Sequence, residues 1–579
     1  MKKVLQHLKP FAIPIIIAMA LIFIQSMANL YLPTLMSDIV NKGVIGQSMD
    51  SVWKYGRDML LVTFGAMVCS IISTYIASRV AAGLGKSLRK GIFTKVESFS
   101  LNEFNKIQTS SLITRTTNDV TQIQSLTLMM IRMMILAPMM CIGGIIMATS
   151  KNLQLSILFI VVIPIMLGAI LVLASKIVPL FTQIQKRTDK INQVVREKLT
   201  GVRVIRAFGT EQYEGNRYDK ANKDIYESSI KAAYIMAGLM PLVMFIINIS
   251  TIAIVWFGSH LIGDGALQIG DMMAFMQYAM QVMFSILMVT MLFILIPRAI
   301  VSAKRINEVL EIEPSVKDTG AKMDKILKPG EIEFTNVGFA YNESSEHVLS
   351  DLNFKINKGE TVAIIGGTGS GKSTLLNLIL RFYDVTSGEV KVGGIPVKDI
   401  DIESLRNMIG YVPQKANLFT GTIADNIRYG KQDATDEELM EAAKIAQSYD
   451  FISSLDKGFD SEVSQGGTNY SGGQKQRISI ARAIIKKPDI YVFDDSFSAL
   501  DYSTDKKLRE SLKNNTEGAT LVIVAQRVST IINADNIIFL DEGKIIATGK
   551  HHELFENCQA YKEVVMSQIT EQEAMASGK

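Results

Sequence analysis

The first half of the chain gathers its apolar residues into long runs and the second half into short ones. Six long runs occupy about 11–36, 59–82, 127–149, 155–179, 234–259 and 271–297, each near the ~20 residues that cross a bilayer as a helix. The links at 37–58, 150–154 and 260–270 are short, whereas those at 83–126 and 180–233 are long, basic and helix-patterned. Arg79, Lys86, Arg89, Lys90 and Lys95 lie in or beside the first long link, and Lys186, Arg187, Arg196, Lys198, Arg203 and Arg206 in the second. Because Lys and Arg accumulate on the cytoplasmic side of membrane spans, both long links, the basic lead-in with Lys2, Lys3 and Lys9, and everything after 298 are expected there. Neither long link is rich in Gly, Pro or Ser, the composition of a flexible linker. They are predicted as helices that continue past the membrane and turn at about 105–112 and 207–216.

Beyond 298 the pattern changes. A mixed-charge connector broken at Pro314 and Pro329 leads into β-type runs at 331–337, 361–365, 489–493, 520–525 and 536–540, interleaved with helical pattern. The mainly helical stretch 415–487 interrupts that alternation, as an inserted subdomain does. The expected division is 1–310 membrane domain, 311–328 connector, 329–567 α/β domain and 568–579 polar, disordered tail.

Composition narrows the class. Of 579 residues 48% are apolar, too greasy for a wholly water-facing protein, and the net charge of +4 makes no case for nucleic acid as a partner. Cys69, Cys141 and Cys558 have neither metal-ligand nor disulfide-framework spacing. The first apolar run carries Gln25, Ser26 and Asn29 in place of a cleavage site, so it is expected as a retained span. Inside the runs, Gln277 and Gln281 share a helix face at i,i+4. Met272, Met273, Met276, Met280, Met283, Met288 and Met291 crowd the sixth run with Phe275, Phe284 and Phe293. Met is adaptable and favoured on promiscuous surfaces, so Gln277, Met280, Gln281 and Phe284 are candidate lining residues for a substrate cavity; ordinary packing and lipid-facing Met is the alternative.

The chemistry lies at 366–373, GGTGSGKS, between the β-type run 361–365 and a helical run from Thr374. In that strand–loop–helix setting G-x-x-x-x-G-K-[ST] is a phosphate cradle. Gly366, Gly367, Thr368, Gly369, Ser370 and Gly371 supply backbone N–H groups, Lys372 a charge for the β- and γ-phosphates, and Ser373 a hydroxyl for Mg²⁺, with Thr374 opening the helix. ATP and Mg²⁺ are the expected ligands. The apolar strand 490–494 ends in Asp494, the position from which such folds hold Mg²⁺. The fold class is therefore an α-helical six-span transmembrane domain followed by a cytoplasmic α/β P-loop nucleotide-binding domain with a helical subdomain.

Tyr470-Ser471-Gly472-Gly473-Gln474-Lys475-Gln476-Arg477, just before the Asp494 strand, resembles the signature motif of the ATP-binding cassette (ABC) superfamily. Gln414 resembles its Q-loop glutamine and a third ligand-side group for Mg²⁺, Ser498-Ala499-Leu500-Asp501 its D-loop, and Tyr341 the aromatic residue that stacks on adenine. Six spans with long cytoplasmic extensions ahead of one cassette look like an exporter-type half-transporter. The resemblance implies that two cassettes pair head to tail, so that Ser471, Gly472, Gly473 and Gln474 meet the γ-phosphate of ATP on a partner chain. It also implies that the turns near 105–112 and 207–216 are coupling helices, the second docking on the opposite chain.

Two positions depart from that pattern. The residue after Asp494 is normally Glu, which orients or deprotonates the attacking water; here it is Asp495. The family's histidine before Arg527 is Gln526, and all five histidines lie elsewhere. Gln465 also replaces an acidic residue ahead of the signature. With the cradle intact, these changes imply a site that holds ATP but hydrolyses it poorly, similar to the degenerate-site subunit of heterodimeric bacterial multidrug exporters. The expected protein is one half of such a heterodimer in a bacterial plasma membrane, exporting small amphipathic compounds. The alternatives are a nucleotide-gated, channel-like protein, or a lipid flippase or importer on the same fold.

Overall fold

The computed structural model describes residues 2–318, 328–341, 346–516 and 518–570, without the side chains of Lys2 and 291–295. The expected tail beyond 570, residues 319–327 of the connector, and the side chains of Met291 and Phe293 lie outside the described residues.

The long apolar runs form α1 (Ala12–Asp38), α2 (Met49–Glu97), α4 (Val120–Lys151), α5 (Leu153–Thr200), α7 (Glu211–Gly263) and α8 (Ile269–Glu311), with α3 (Leu101–Lys106) and α6 (Val202–Phe208) as short helices in the long links. Among the described residues six helices are long and apolar enough to cross a membrane. α2, α5 and α7 run to 49, 48 and 53 residues, more than twice a bilayer's requirement, so they continue beyond it as the basic links suggested. Breaks fall inside both expected turns, at 107–108 and 209–210, and each is preceded by an earlier break with a local cause. Ser100 and Glu103 form a reciprocal cap that starts α3 before 105. Gly201 breaks α5, and Gly209, with φ +63°, ends α6.

The chain separates into two compact units. One gathers the chain up to Val96 with Thr109–Glu311; the other gathers Glu97–Gln108 with the chain from Ile312 onward. The expected boundary at 310 is thus interrupted by α3, which belongs to the second unit. There, Asn105 Nδ2 donates to the Tyr383 hydroxyl at 3.2 Å, and Glu103 accepts from the Ser315 N–H at 3.2 Å.

The second unit is built on β1 (Ile332–Phe339), β2 (Leu349–Ile356), β3 (Thr361–Ile365), β4 (Ser387–Val392), β5 (Ile395–Pro396), β6 (Ile409–Val412), β7 (Ile490–Asp494), β8 (Thr520–Val524), β9 (Asn536–Asp541) and β10 (Lys544–Gly549). β2-β1-β4-β5 form an antiparallel sheet; a second sheet has the order β10-β9-β3-β8-β7-β6. From β9 to β6 the second sheet is parallel, with Val524 opposite both Ile364 and Asp494. β3, β7 and β8 are buried almost throughout, which is why they read as unbroken apolar runs. β2 and β4 mix buried and exposed positions and β10 is nowhere fully buried; none carries such a run, so the pattern of residues alone did not reveal them. The 415–487 stretch folds as short helices around one two-stranded pair.

Candidate active site

Ligands of open parallel sheets bind beyond the carboxyl ends of the strands, and here four adjacent strands converge. β3 delivers the 366–373 loop, β8 delivers Gln526, β7 delivers Asp494 and Asp495, and β6 delivers Gln414. Together with Thr368, Gly369, Gly371, Lys372, Ser373 and Thr374 these side chains line a cleft of about 240 Å³. Val348 and Val524 complete the lining; neither stands out in the sequence, because apolar residues carry no motif.

The loop leads into α9 (Lys372–Ile379), whose amino end faces the cleft. Gly371 has φ +97°, and a Cβ there would meet Leu349 at 2.6 Å. A Cβ on Gly366 would lie 2.0 Å from the Leu540 carbonyl oxygen, so the loop's entry packs backbone on backbone. Lys372 Nζ donates to the carbonyls of Gly366 at 2.9 Å and Gly367 at 2.6 Å, and to Ser370 Oγ at 3.3 Å. Burial pushes its ammonium pKa down, opposed by the charges of Asp495 and Asp494. An ammonium held over carbonyls in a half-buried cradle has a strong reason to donate to phosphate oxygens.

Ser373 Oγ donates to Asp494 Oδ1 at 3.0 Å. Asp494 is only 5% exposed, and burial pushes its carboxyl above the usual range. Among the described residues no cluster of three or more His, Cys, Asp or Glu forms a metal cage. The hydroxyl of Ser373, the carboxylate of Asp494 and the amide of Gln414 are nevertheless an oxygen-donor set with little charge. That set fits Mg²⁺, which draws its other ligands from water and substrate phosphates.

Asp495 follows Asp494 at the carboxyl end of β7. It is 7% exposed and has the left-handed φ of +46°. Its Oδ2 accepts from Gln526 Nε2 at 2.9 Å and from Gln414 Nε2 at 3.3 Å. Burial raises its pKa, while the hydrogen bonds of Gln414 and Ser498 and the charges of Lys372 and Arg527 oppose that rise. The two N–H groups fix that oxygen in place and favour its charged form, against the burial that raises its pKa.

Tyr341 stands beside the cleft, its hydroxyl 2.9 Å from Thr374 Oγ1 and its ring edge-on to Phe339 and Tyr383. Its ring remains 39% exposed, leaving a face for a base. Tyr341→Ala is expected to weaken ATP binding about tenfold and Tyr341→Phe hardly at all, since base–aromatic stacking contributes ~1–3 kcal/mol. Titration with a fluorescent ATP analogue checks this; equal loss in both variants assigns the effect to the Thr374 contact. Tyr383, which touches both Tyr341 and Asn105 of α3, had no sequence signal, because strand order alone brings it there.

Ser471, Gly472, Gly473 and Gln474 lie outside this cleft. Ser471 caps α10 (Gly472–Ile484) in a reciprocal box with Gln474, and Ser471 and Gly472 are exposed. An exposed helix amino end next to two glycines is open to phosphate from outside the chain. In the membrane unit, Met280 and Phe284 are 41% and 46% exposed, and Gln281 donates to the Asn29 carbonyl at 3.4 Å. None of Gln277, Met280, Gln281 and Phe284 lines the large apolar cleft of about 1180 Å³ found in that unit.

Comparison with known proteins agrees with the architecture. Residues 15–287 match the ABC transporter transmembrane region and residues 349–498 the ABC transporter domain. An uncharacterized ABC transporter ATP-binding protein of Mycobacterium tuberculosis is 40% identical over 567 residues, covering 97% of both chains. An ATP-dependent lipid A-core flippase of Hahella chejuensis is 34% identical over 506 residues, covering 87% of this chain and 86% of that protein. The solved structure of a bacterial Atm1-family ABC exporter with ATP bound superposes with a TM-score of 0.80 at 24% identity, covering 97% of this chain and 99% of that one.

Proposed function

The chain belongs to the ABC transporter family as a membrane-spanning half-transporter, and from that premise we propose that it is the hydrolysis-impaired member of a heterodimeric exporter of amphipathic compounds. In this reading ATP and Mg²⁺ are held by Lys372, Ser373, Asp494 and Gln414, with the base on Tyr341. Ser471 to Gln474 complete the partner's competent site. The observation that carries the reading is the shortened carboxylate of Asp495, held by the neutral amides of Gln526 and Gln414. A group meant to orient water gains nothing from an amide that cannot take up a positive charge. Closure of paired cassettes around ATP opens the membrane bundle outward, and hydrolysis at the partner's site resets it. The similarity to a lipid A-core flippase supports a lipid-like substrate as readily as a drug.

The test is turnover of the purified chain alone in lipid, beside the pair assembled with a half-transporter that carries the family's Glu and His. The chain alone is expected to bind ATP and turn over slowly, and the pair rapidly. Ser471→Arg in this chain is expected to silence the pair while leaving ATP binding by this chain intact. Brisk turnover by the chain alone overturns the heterodimer.

A further inference from the structure

The membrane unit holds a cleft of about 1180 Å³ between α5 and α8, above the ~300–1,000 Å³ of ordinary small-molecule sites. Its lining runs along α5 from Leu167 to Lys186, a rise of about 28 Å at 1.5 Å per residue, close to the ~30 Å of bilayer hydrocarbon. α5 and α8 both begin at short links and run toward the basic, cytoplasmic side, so their lining residues advance in the same sense. Apolar residues dominate until Val178 on α5 and Val289 on α8; beyond them Lys186 and Arg298 line the same end. Among the described residues neither cation has an ion-pair or hydrogen-bond partner, whereas Lys151 in the same unit is paired with Asp271 at 2.7 Å.

We propose that this cleft takes an anionic amphiphile from the cytoplasmic leaflet, its chain along α5 and α8 and its carboxylate or phosphate head at Lys186 and Arg298. The inference rests on the exporter reading and adds the charge and orientation of the substrate. Two exposed cations at the mouth of an apolar slot favour a negative head, because charge-assisted hydrogen bonds are the strong ones. They disfavour a cationic amphiphile by the same Coulomb term.

The test uses the full chain in detergent, without ATP or a partner, so its outcome is independent of whether the nucleotide site hydrolyses. The probes are a dansyl-labelled undecanoate and the corresponding undecylamine, with binding read by fluorescence. The carboxylate is expected to bind at least about tenfold more tightly than the amine, and Lys186→Glu with Arg298→Glu to reverse that order. Lys186→Arg preserves the preference. Ile170→Trp, which fills the slot, weakens both probes. An unchanged helical circular-dichroism spectrum and melting temperature in the same detergent show that the variants fold. Phosphatidylglycerol is expected to displace the probe and inorganic phosphate is not; displacement by phosphate alone means a surface anion site and overturns the proposal. Equal affinity for the two probes also overturns it, as does a cleft closed to both by a second copy of the chain.

Discussion

Asp495→Glu combined with Gln526→His is expected to raise the ATP turnover of the isolated chain about 10²-fold, since a displacement of ~1 Å in a positioned catalytic group has an effect of that order. Glu restores the missing methylene and extends the carboxylate beyond the point where the two amides now hold it. His replaces an amide with a ring that can carry positive charge toward the transferring phosphoryl group. The two changes act on one constellation, so each alone is expected to deliver less than half the logarithmic gain. The backbone opposes the repair, because Asp495 sits at φ +46°, a region that Asp tolerates better than Glu. A stability loss of roughly 1 kcal/mol in the repaired chain follows. Single-turnover and steady-state ATPase in lipid measure the gain. Failure of the repaired chain to accelerate, with ATP still bound, places the defect elsewhere in the site.

Lys372→Ala is expected to weaken ATP binding by ~10–100-fold, the loss of charge-assisted hydrogen bonds worth about 1.5–3 kcal/mol. The ammonium already lies within reach of the loop carbonyls of Gly366 and Gly367, so phosphate binding exchanges neutral acceptors for anionic ones without a large side-chain movement. Its lowered pKa reports that burial, and the approach of phosphate reverses it. The readout is ATP-dependent thermal stabilisation. Ligand at a hundred times Kd stabilises a folded chain by about 2.7 kcal/mol, and most of that increment disappears in the variant. Lys372→Arg keeps the charge but not the compact head, and is expected to recover only part of the binding. An ATP-dependent shift that survives Lys372→Ala means the cradle is not where the nucleotide sits.

Much of this protein is legible in its residues because the physics involved is local. Twenty-odd apolar residues in succession have one stable home, so the spans of α1, α2, α4, α5, α7 and α8 followed from hydropathy, and their sidedness from Lys and Arg. The phosphate cradle was legible because positive φ at Gly369 and Gly371 and a lysine at the helix start are a backbone requirement written in fixed spacing. The departures at Asp495 and Gln526 were legible too, though only against a resemblance; no pattern of burial or charge in the sequence says that a Glu and a His belong there.

What the residues left open depends on contacts between distant segments. Strand order β3-β8-β7-β6 brings Gln526 and Gln414 to the same carboxylate oxygen, and no run of residues encodes that adjacency. The same holds for α3, which sequence proximity assigns to the membrane half and packing assigns to the nucleotide unit through Asn105 and Tyr383. The Met- and Gln-rich face of α8 left a cavity wall and ordinary packing equally open, because adaptability and polarity were all that could be judged from it. Only the packing of α5 against its neighbours decided where a large apolar cleft lies, and that Lys186 and Arg298 close its end. The sequence determined which segments cross the membrane and which loop binds phosphate, since each is a property of one stretch of chain. The tertiary structure decided which side chains meet, since burial and hydrogen bonding between segments remote in sequence exist only once the chain has folded.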